Sequence, residues 1–189
     1  NLLVGLCIYS IVAVGLNLCV GYLGELSLGH AAFMSVGAFS SALFSNMTQN
    51  VITVAPIRFV FALLVGIIFS ALFGFLIGIP VLRLNGDYLA IVTLAFGEII
   101  KGLVNVLYIG MDKSGLHFAF IKDTIQMDET GRMIIDGAQG ISGTEKISTF
   151  TIGVILLILV LLVVTFLVNS RTGRAIMAIR DNRIAAESV

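Results

Sequence analysis

The sequence predicts an all-α membrane protein: a polytopic transmembrane helical bundle with a broken or re-entrant start to one helix and a short cytoplasmic coupling helix. Of its 189 residues, 58% are hydrophobic and only 12% are charged, whereas about 25% of a soluble globular domain is charged. The mean hydropathy is +1.08. Long apolar segments also recur along the chain, separated by shorter polar stretches. Together these observations predict several membrane-spanning helices in one transmembrane domain, 1–189.

Five segments are long and apolar enough to cross a bilayer, which takes about 20 residues each. They cover approximately residues 2–20, 26–44, 57–79, 88–108 and 150–168. In lipid these segments must be helical, because a lone strand leaves its backbone groups without hydrogen bonds. The chain opens inside an apolar segment and stops inside a basic one, so we expect it to be a fragment of a longer polypeptide.

The orientation follows from basic residues behind the fifth segment. Arg171, Arg174, Arg180 and Arg183 are four of the eleven Lys and Arg residues, and such charge collects at the cytoplasmic ends of membrane spans. We therefore place a short helix over 171–189 in the cytoplasm and the loop 109–149 outside.

The outer loop is long for a compact membrane protein. We expect a hairpin in it, with strands over 118–127 and 132–135 and a turn at Asp128–Gly131, where Gly131 is free to adopt a positive φ. The glycine-spaced runs 110–115 and 137–143 are predicted to be turns.

Small residues recur every four positions on two of the apolar segments. They are Gly37, Ser41 and Ser45 in the second segment, and Gly66, Ser70, Gly74 and Gly78 in the third. Such stripes let helix backbones approach closely in lipid. We expect them to pack helices within one bundle, and a subunit interface is the alternative.

The start of the second segment is unusually polar for a membrane span. Within Gly21–His30 the chain carries three glycines, Glu25, Ser27 and His30. Broken helices in transporters offer free backbone groups to a polar substrate. Glu25, Ser27, Gly29 and His30 are therefore candidate residues of a translocation path. The alternatives are an interfacial Glu25 and a His30 that is hydrogen-bonded inside the bundle.

The fourth segment carries a second polar group, formed by Thr93, Gly97 and Glu98. Intramembrane carboxylates are functional candidates by default, since burying a charge in lipid is costly. The alternative is an ion pair between Glu98 and Lys101, which lie three residues apart on one helix face.

Several classes of site are not indicated. The sequence shows no catalytic arrangement such as Ser-His-Asp or Cys-His, no metal-ligand spacing and no phosphate-binding G-x-x-x-x-G-K-[ST] loop. No cofactor is therefore predicted, and the net charge of zero suggests no nucleic-acid partner. Cys7 and Cys19 are expected to be packing residues.

The basic segment 171–189 combines charge with small residues, which suits a protein partner better than a lipid surface. The candidate interface residues are Arg174, Ala178, Arg180, Asp181, Asn182, Arg183, Ala185 and Ala186. The charged side chains would form charge-assisted hydrogen bonds, and the alanines would allow close approach.

Four strings in this chain resemble signatures of one transporter family, the permease subunits of ABC importers for branched-chain amino acids, and in particular the M-type of the two paired permeases. Residues 21–33 look like its early signature, and 86–99 its middle signature. Residues 172–187 resemble its cytoplasmic coupling segment, and 137–141 the end of its outer loop. The resemblance covers nearly the whole chain.

Two features depart from the family pattern. A glutamate is common where this chain has Arg183, and the outer loop is longer than usual. The first departure bears on how charges pair at the partner surface.

The resemblance implies a passive conduit in the bacterial inner membrane, without an ATPase site of its own. Its implied partners are a second homologous permease, two cytoplasmic ABC ATPases that bind the coupling helices, and an extracytoplasmic solute-binding protein. The alternative is a proton- or ion-coupled secondary transporter that uses Glu25, His30 and Glu98, but such a carrier has no need of a coupling helix. A membrane-embedded enzyme would need a nucleophile or metal site, which the sequence does not indicate.

Overall fold

A computed structural model of the chain describes residues 2–49, 51–81, 84, 87–112, 115–120, 132–142, 144 and 147–181. The chain divides into two compact units, which are taken separately below. The first unit contains Asn1–Leu28, Leu84–Ile91 and Ser148–Val189, and the second contains Gly29–Arg83 and Val92–Ile147.

Helices account for most of the described residues, and the chain is an all-α polytopic membrane protein, as predicted. The helices are α1 (Leu2–Asn17), a π-helix (Leu18–Leu23), α2 (His30–Met47), α3 (Ala55–Val81), α4 (Asp87–Val106), α5 (Phe150–Asn169) and α6 (Arg171–Asp181). Three strands follow α4: β1 (Tyr108–Asp112), β2 (Gly115–Ala119) and β3 (Arg132–Asp136).

Four helical stretches in the described part of the chain are long and apolar enough to cross a membrane. They are Leu2–Leu23, Ala55–Val81, Tyr88–Val106 and Phe150–Asn169. Helix α2 is less apolar than these four because it contains His30, Asn46 and several serines. The five-span arrangement therefore stays a prediction.

The second predicted segment starts later than expected. The π-helix ends at Leu23 and is capped by Gly24, whose φ of 77° lies in the left-handed region that glycine adopts without strain. Residues 24–29 form no helix, and α2 begins only at His30. The broken start predicted from the polar stretch is thus present, and the predicted boundary at residue 26 is four residues too early.

In the first unit, α1 packs along α5. Cys7 is buried, and a Cβ atom placed on Gly153 would lie 3.1 Å from the Cys7 Cβ. The packing role expected for Cys7 is confirmed. Between α5 and α6, Ser170 adopts an extended conformation, and its hydroxyl accepts a hydrogen bond of 3.0 Å from the Gly173 amide. Ser170 therefore caps α6 in the usual manner of an N-cap serine.

In the second unit, the small-residue stripes bring α2 and α3 together. A Cβ atom on Gly66 would lie 2.9 Å from the Gly37 carbonyl oxygen, and the Ser70 hydroxyl donates to the Phe33 carbonyl at 3.1 Å. Gly74 faces Phe33 as well. A Cβ on Gly78, however, would meet no other described atom within 4 Å. The predicted packing is confirmed for the first three positions of the α3 stripe, and Gly78 does not take part.

The loop predicted to lie outside contains a three-stranded antiparallel sheet with the order β2-β1-β3. Its core consists of Ile109, Ile134 and Ile135, with Phe39 and Leu43 of α2 packed against it. The expected pairing of 118–127 with 132–135 lies largely outside the described residues. Within them, β3 pairs with β1, and Phe118 and Ala119 belong to β2 on the other side of β1. Tyr108 was predicted to lie in the fourth span, so strand β1 was not predicted. The predicted turn at 128–131 lies outside the described residues.

The glycines after β3 form a turn, as predicted. Gly137 and Gly140 both have positive φ, and the Gly140 amide donates to the Gly137 carbonyl at 3.0 Å. The Gly137 amide in turn donates to the Leu107 carbonyl at 3.1 Å, which ties this turn to the end of α4.

Candidate functional site

The start of α2 lies directly against the middle of α4. A Cβ atom on Gly29 would lie 2.6 Å from the Thr93 carbonyl oxygen and 3.3 Å from the Thr93 Cβ. A Cβ on Gly97 would lie 3.9 Å from the Gly29 Cα. Three of the seven predicted path residues are therefore brought together, although the two segments are more than sixty residues apart in sequence.

A second contact fixes how α2 meets α4. The rings of Phe33 and Phe96 lie with their centroids 5.7 Å apart and tilted by 35°, within the range of favourable aromatic pairs. Thr93 is only 8% exposed and Ala32 is also buried. The glycine contact is thus part of a well-packed interface, and any side chain at position 29 would force the two backbones apart.

The residues before α2 alternate in burial. Glu25 and Ser27 are half-buried, whereas Leu26 and Leu28 are exposed. This alternation is typical of an extended segment, whose successive side chains point to opposite sides. The polar side chains of this stretch therefore share its less exposed side. His30 is half-buried in the second unit, as the first residue of α2.

Glu98 forms an ion pair with Lys101, which confirms the alternative proposed for these residues. The Lys101 Nζ lies 3.3 Å from a Glu98 carboxylate oxygen, and the two side chains are 65–66% exposed. Asn105 is exposed one turn further along the same face of α4. We call Glu98, Lys101 and Asn105 the polar stripe of α4. In membrane spans such residues face the bundle interior or a water-filled cavity.

The described residues contain no group of three or more His, Cys, Asp or Glu side chains that could hold a metal ion.

Helix α6 has one face against the protein and one face exposed. Gly173 is buried and Ile176 is half-buried, whereas Arg174, Ala178 and Ile179 are exposed. Ile179, next to Arg180, is 51% exposed. The sequence interpretation singled out Ala178 and missed Ile179, although the spacing of apolar residues along a helix could have indicated it.

The two arginines of α6 that were predicted to contact a partner bind backbone carbonyls of their own chain. The Arg174 Nη1 donates to the Asn169 carbonyl at 2.8 Å, at the end of α5. The Arg180 Nη1 donates to the Gly21 carbonyl at 2.7 Å, in the π-helix. Cations stabilise helix C-termini, because the exposed carbonyls there carry partial negative charge. The remaining predicted interface residues are Asn182, Arg183, Ala185 and Ala186, and they lie outside the described residues.

Asp181 holds the Arg180 guanidinium in place. Its Oδ1 accepts from the Arg180 Nε at 3.1 Å and from Nη2 at 2.9 Å. Asp181 was predicted to contact a partner protein, and the structure gives its carboxylate a partner within α6.

Gly173 is a residue that the sequence interpretation left without a role. A Cβ atom there would overlap the carbonyl oxygens of Leu167 and Val168 and would lie 2.8 Å from the Val168 carbonyl carbon. Only glycine allows α6 to turn back against the end of α5. Nothing in the local sequence signals this need, because it depends on where the last carbonyls of α5 point.

Comparison with known proteins identifies the relatives of this chain. Residues 1–189 match the family described as "Branched-chain amino acid transport system / permease component". Two curated relatives are the high-affinity branched-chain amino acid transport system permease proteins LivM of Salmonella typhimurium and Escherichia coli. The chain is 36% identical to the first over 194 residues and 34% identical to the second over 193 residues.

Each alignment covers 96% of this chain but only 44% of the relative. The chain thus spans less than half the length of these curated relatives. No solved structure matches it.

Proposed function

Because the chain belongs to the family of branched-chain amino acid transport permeases, we propose that it forms part of the membrane-spanning permease subunit of an ABC importer. The subunit would provide the translocation path for branched-chain or related amino acids, and separate ATPase subunits would supply the energy. The family match over the whole chain is the observation that carries this proposal. It favours an importer subunit over the proton- or ion-coupled carrier.

We propose the partners that the permease family implies: a second homologous permease, two cytoplasmic ATPases and an extracytoplasmic solute-binding protein. The exposed face of α6, with Ala178 and Ile179, supports the ATPase contact. A half-exposed isoleucine beside a small residue is a suitable anchor for a groove on a partner, since apolar anchors surrounded by polar groups carry much of the energy of protein interfaces.

We propose that α6 lies in the cytoplasm and that the sheet β1–β3 lies outside the bacterial inner membrane. In this orientation, the predicted loop 45–56 after α2 and the loop 109–149 lie on the same side of the membrane. The packing of Phe39 and Leu43, in the second half of α2, against the core of the sheet supports it.

Cysteine labelling tests the orientation. With Cys7 and Cys19 replaced, a cysteine at the exposed Phe120 should react with a membrane-impermeant thiol reagent from outside. A cysteine at the exposed Ala175 should react only after the membrane is opened. The reverse pattern would overturn the orientation.

The translocation path is proposed to run beside the start of α2 and along the polar stripe of α4. The path residues are Glu25, Ser27, Gly29, His30, Thr93, Gly97 and Glu98. A charge at the centre of a membrane helix costs about 2.5–3.5 kcal/mol. The exposed Glu98–Lys101 pair is therefore expected to face water in the path or a partner subunit, and not lipid.

Replacing Glu98 and Lys101 together tests whether they face the path or lipid. If the stripe faced lipid, the double substitution Glu98→Leu and Lys101→Leu would leave transport intact and stabilise the protein. If it lines the path, the same substitution should abolish most transport at normal membrane levels. Ile99→Leu, on an exposed apolar position next to Glu98, is the matched control.

Reconstitution tests the function itself. The full-length permease, its paired permease, the ATPases and the binding protein would be placed in proteoliposomes, and uptake of labelled leucine, isoleucine and valine measured. We expect uptake that needs ATP and fails when the P-loop lysine of the ATPase is replaced. Uptake driven by a proton or sodium gradient without ATP would establish the secondary carrier instead.

A further inference from the structure

The last described turn of α6 is joined to the π-helix by one arginine. The Nη1 of Arg180 donates to the Gly21 carbonyl at 2.7 Å, although 159 residues separate the two in sequence. The Gly21 carbonyl lies in the last turn of the π-helix, where the helix gives way to the non-helical residues 24–29. The bond therefore connects α6 to the break that precedes α2.

The stem of the same arginine lies over Gly24. A Cβ atom on Gly24 would be 2.7 Å from the Arg180 Cγ and 2.9 Å from its Cδ. Gly24 also adopts a positive φ, so its lack of a side chain serves both the turn and the close approach of Arg180. Asp181 fixes the guanidinium from the other side, at 2.9 Å and 3.1 Å.

The remainder of the contact between α6 and the π-helix is loosely filled. An apolar cavity of about 150 Å³ lies between the π-helix, the end of α5 and the start of α6. Its lining includes Cys19 and Tyr22 of the π-helix, Val168 of α5, and Gly173 and Ile176 of α6. At the far end of α6, beyond this cavity, the partly exposed Arg180 supplies a hydrogen bond to the π-helix.

We propose that Arg180, held by Asp181, is a latch that transmits movement of α6 to the π-helix and to the non-helical turn at Gly24 that follows it. This proposal rests on the proposed function, in which an ATPase moves α6. Arg180 is thus a positioning residue inside the permease. The direct contact with the ATPase is made by the exposed face that carries Ala178 and Ile179.

If Arg180 acts as this latch, its loss should lower transport per ATP hydrolysed without lowering ATPase binding. If Arg180 contacted the ATPase directly, its loss should lower both. Arg180→Ala in the full-length complex should leave the amount of copurified ATPase at the wild-type level. Transport per ATP hydrolysed should fall about tenfold, the order of effect expected from losing a charge-assisted hydrogen bond. Arg180→Lys, which can keep one bond to the Gly21 carbonyl, should restore part of the coupling.

Four further variants complete the design. Ile179→Asp should reduce ATPase binding itself, and Arg171→Ala removes a charge from α6 away from the latch. Gly24→Ala, which pushes on the stem of Arg180, should reproduce the uncoupling. Asp181→Asn should uncouple mildly, and it should add little in the Arg180→Ala background, because residues of one network are not additive.

The outcomes distinguish the latch from the proposed function. Loss of ATPase binding in Arg180→Ala would show a direct contact and overturn the latch, as would normal transport per ATP in that variant. Failure of the wild-type complex to bind an ATPase or to use ATP for transport would instead contradict the proposed function.

Discussion

Two sets of close contacts at glycines in this chain differ in how far the sequence reveals them. Between α2 and α3, Gly37, Gly66 and Ser70 form a contact that repeats along both helices. At the junction of α5, α6 and the π-helix, Gly173 and Gly24 make single contacts that do not repeat. The first was predicted from sequence, and the second was not.

The difference has a geometric cause. Residues four apart share a face of a helix. A stripe of small residues at this spacing therefore predicts that another helix packs closely there, even when that helix is not yet identified. Gly173 is constrained by the carbonyls of Leu167 and Val168, which precede the extended residue Ser170. Gly24 is constrained by Arg180, far away in sequence. A contact that repeats along a helix can be predicted from the local sequence, whereas the contacts at a junction between helices depend on the tertiary structure.

The largest effect is expected at the junction, for Gly173→Ala. The added Cβ would overlap two backbone carbonyls that belong to the end of a helix and cannot move independently. Overpacking of this kind costs about 1–3 kcal/mol, and sometimes more. We expect a large fall in the thermal denaturation temperature of the purified full-length protein, together with reduced ATPase copurification, because α6 would leave its position.

Gly5→Ala is the matched control in the same unit. A Cβ there would meet no other described atom within 4 Å, so alanine should stabilise helix α1 by about 0.5–1 kcal/mol through its higher helix propensity. If Gly173→Ala were as stable as Gly5→Ala, the close approach of α6 to α5 would be wrong.

Much of the fold was predictable because it follows from local patterns. The apolar runs located the helices, and the polar stretch of 21–30 indicated the broken start before α2. The sheet was largely missed, since β1 follows α4 after one residue and its pairing with β3 is not local. Arg58, which falls near the start of the third predicted span, is only 3% exposed within α3.

The candidate site was predictable in part. The spacing of Gly29, Thr93 and Gly97 gave no sign that these residues meet, yet each was singled out for being small or polar inside a span. The Glu98–Lys101 pair follows from helical spacing alone. The bonds that Arg174 and Arg180 make to helix-end carbonyls require knowledge of which helix ends lie nearby, and so the sequence suggested an external partner for both.

An intermediate effect is expected within the α2–α3 contact, for Gly66→Ala. Its Cβ would lie 2.9 Å from the Gly37 carbonyl and 3.2 Å from the Ser41 Cβ. Two long helices can separate slightly along their length, so we expect a loss of about 1 kcal/mol, at the lower end for overpacking. Thermal denaturation of the full-length protein in detergent would measure it.

Gly78→Ala provides an internal comparison on the same helix face. Because a Cβ on Gly78 would meet no other described atom within 4 Å, this variant should be at least as stable as wild type. Equal destabilisation at both positions would mean that helix α3 buries its whole stripe against a partner, and the comparison would then locate a subunit interface at Gly78.

The smallest effect is expected for Ser70→Ala, which removes the hydrogen bond from its hydroxyl to the Phe33 carbonyl of α2 and leaves the Cβ in place. Hydrogen bonds between membrane helices contribute on average about 0.6 kcal/mol, so the denaturation temperature should fall only slightly. Ser40→Ala is the control, since the Ser40 hydroxyl bonds the Val36 carbonyl one turn earlier in its own helix, at 2.8 Å. Ser70→Ala should therefore be the less stable of the two. If it matched the control, the α2–α3 contact would depend on backbone proximity alone, and Ser70 would serve as a small residue in the same way as Gly66.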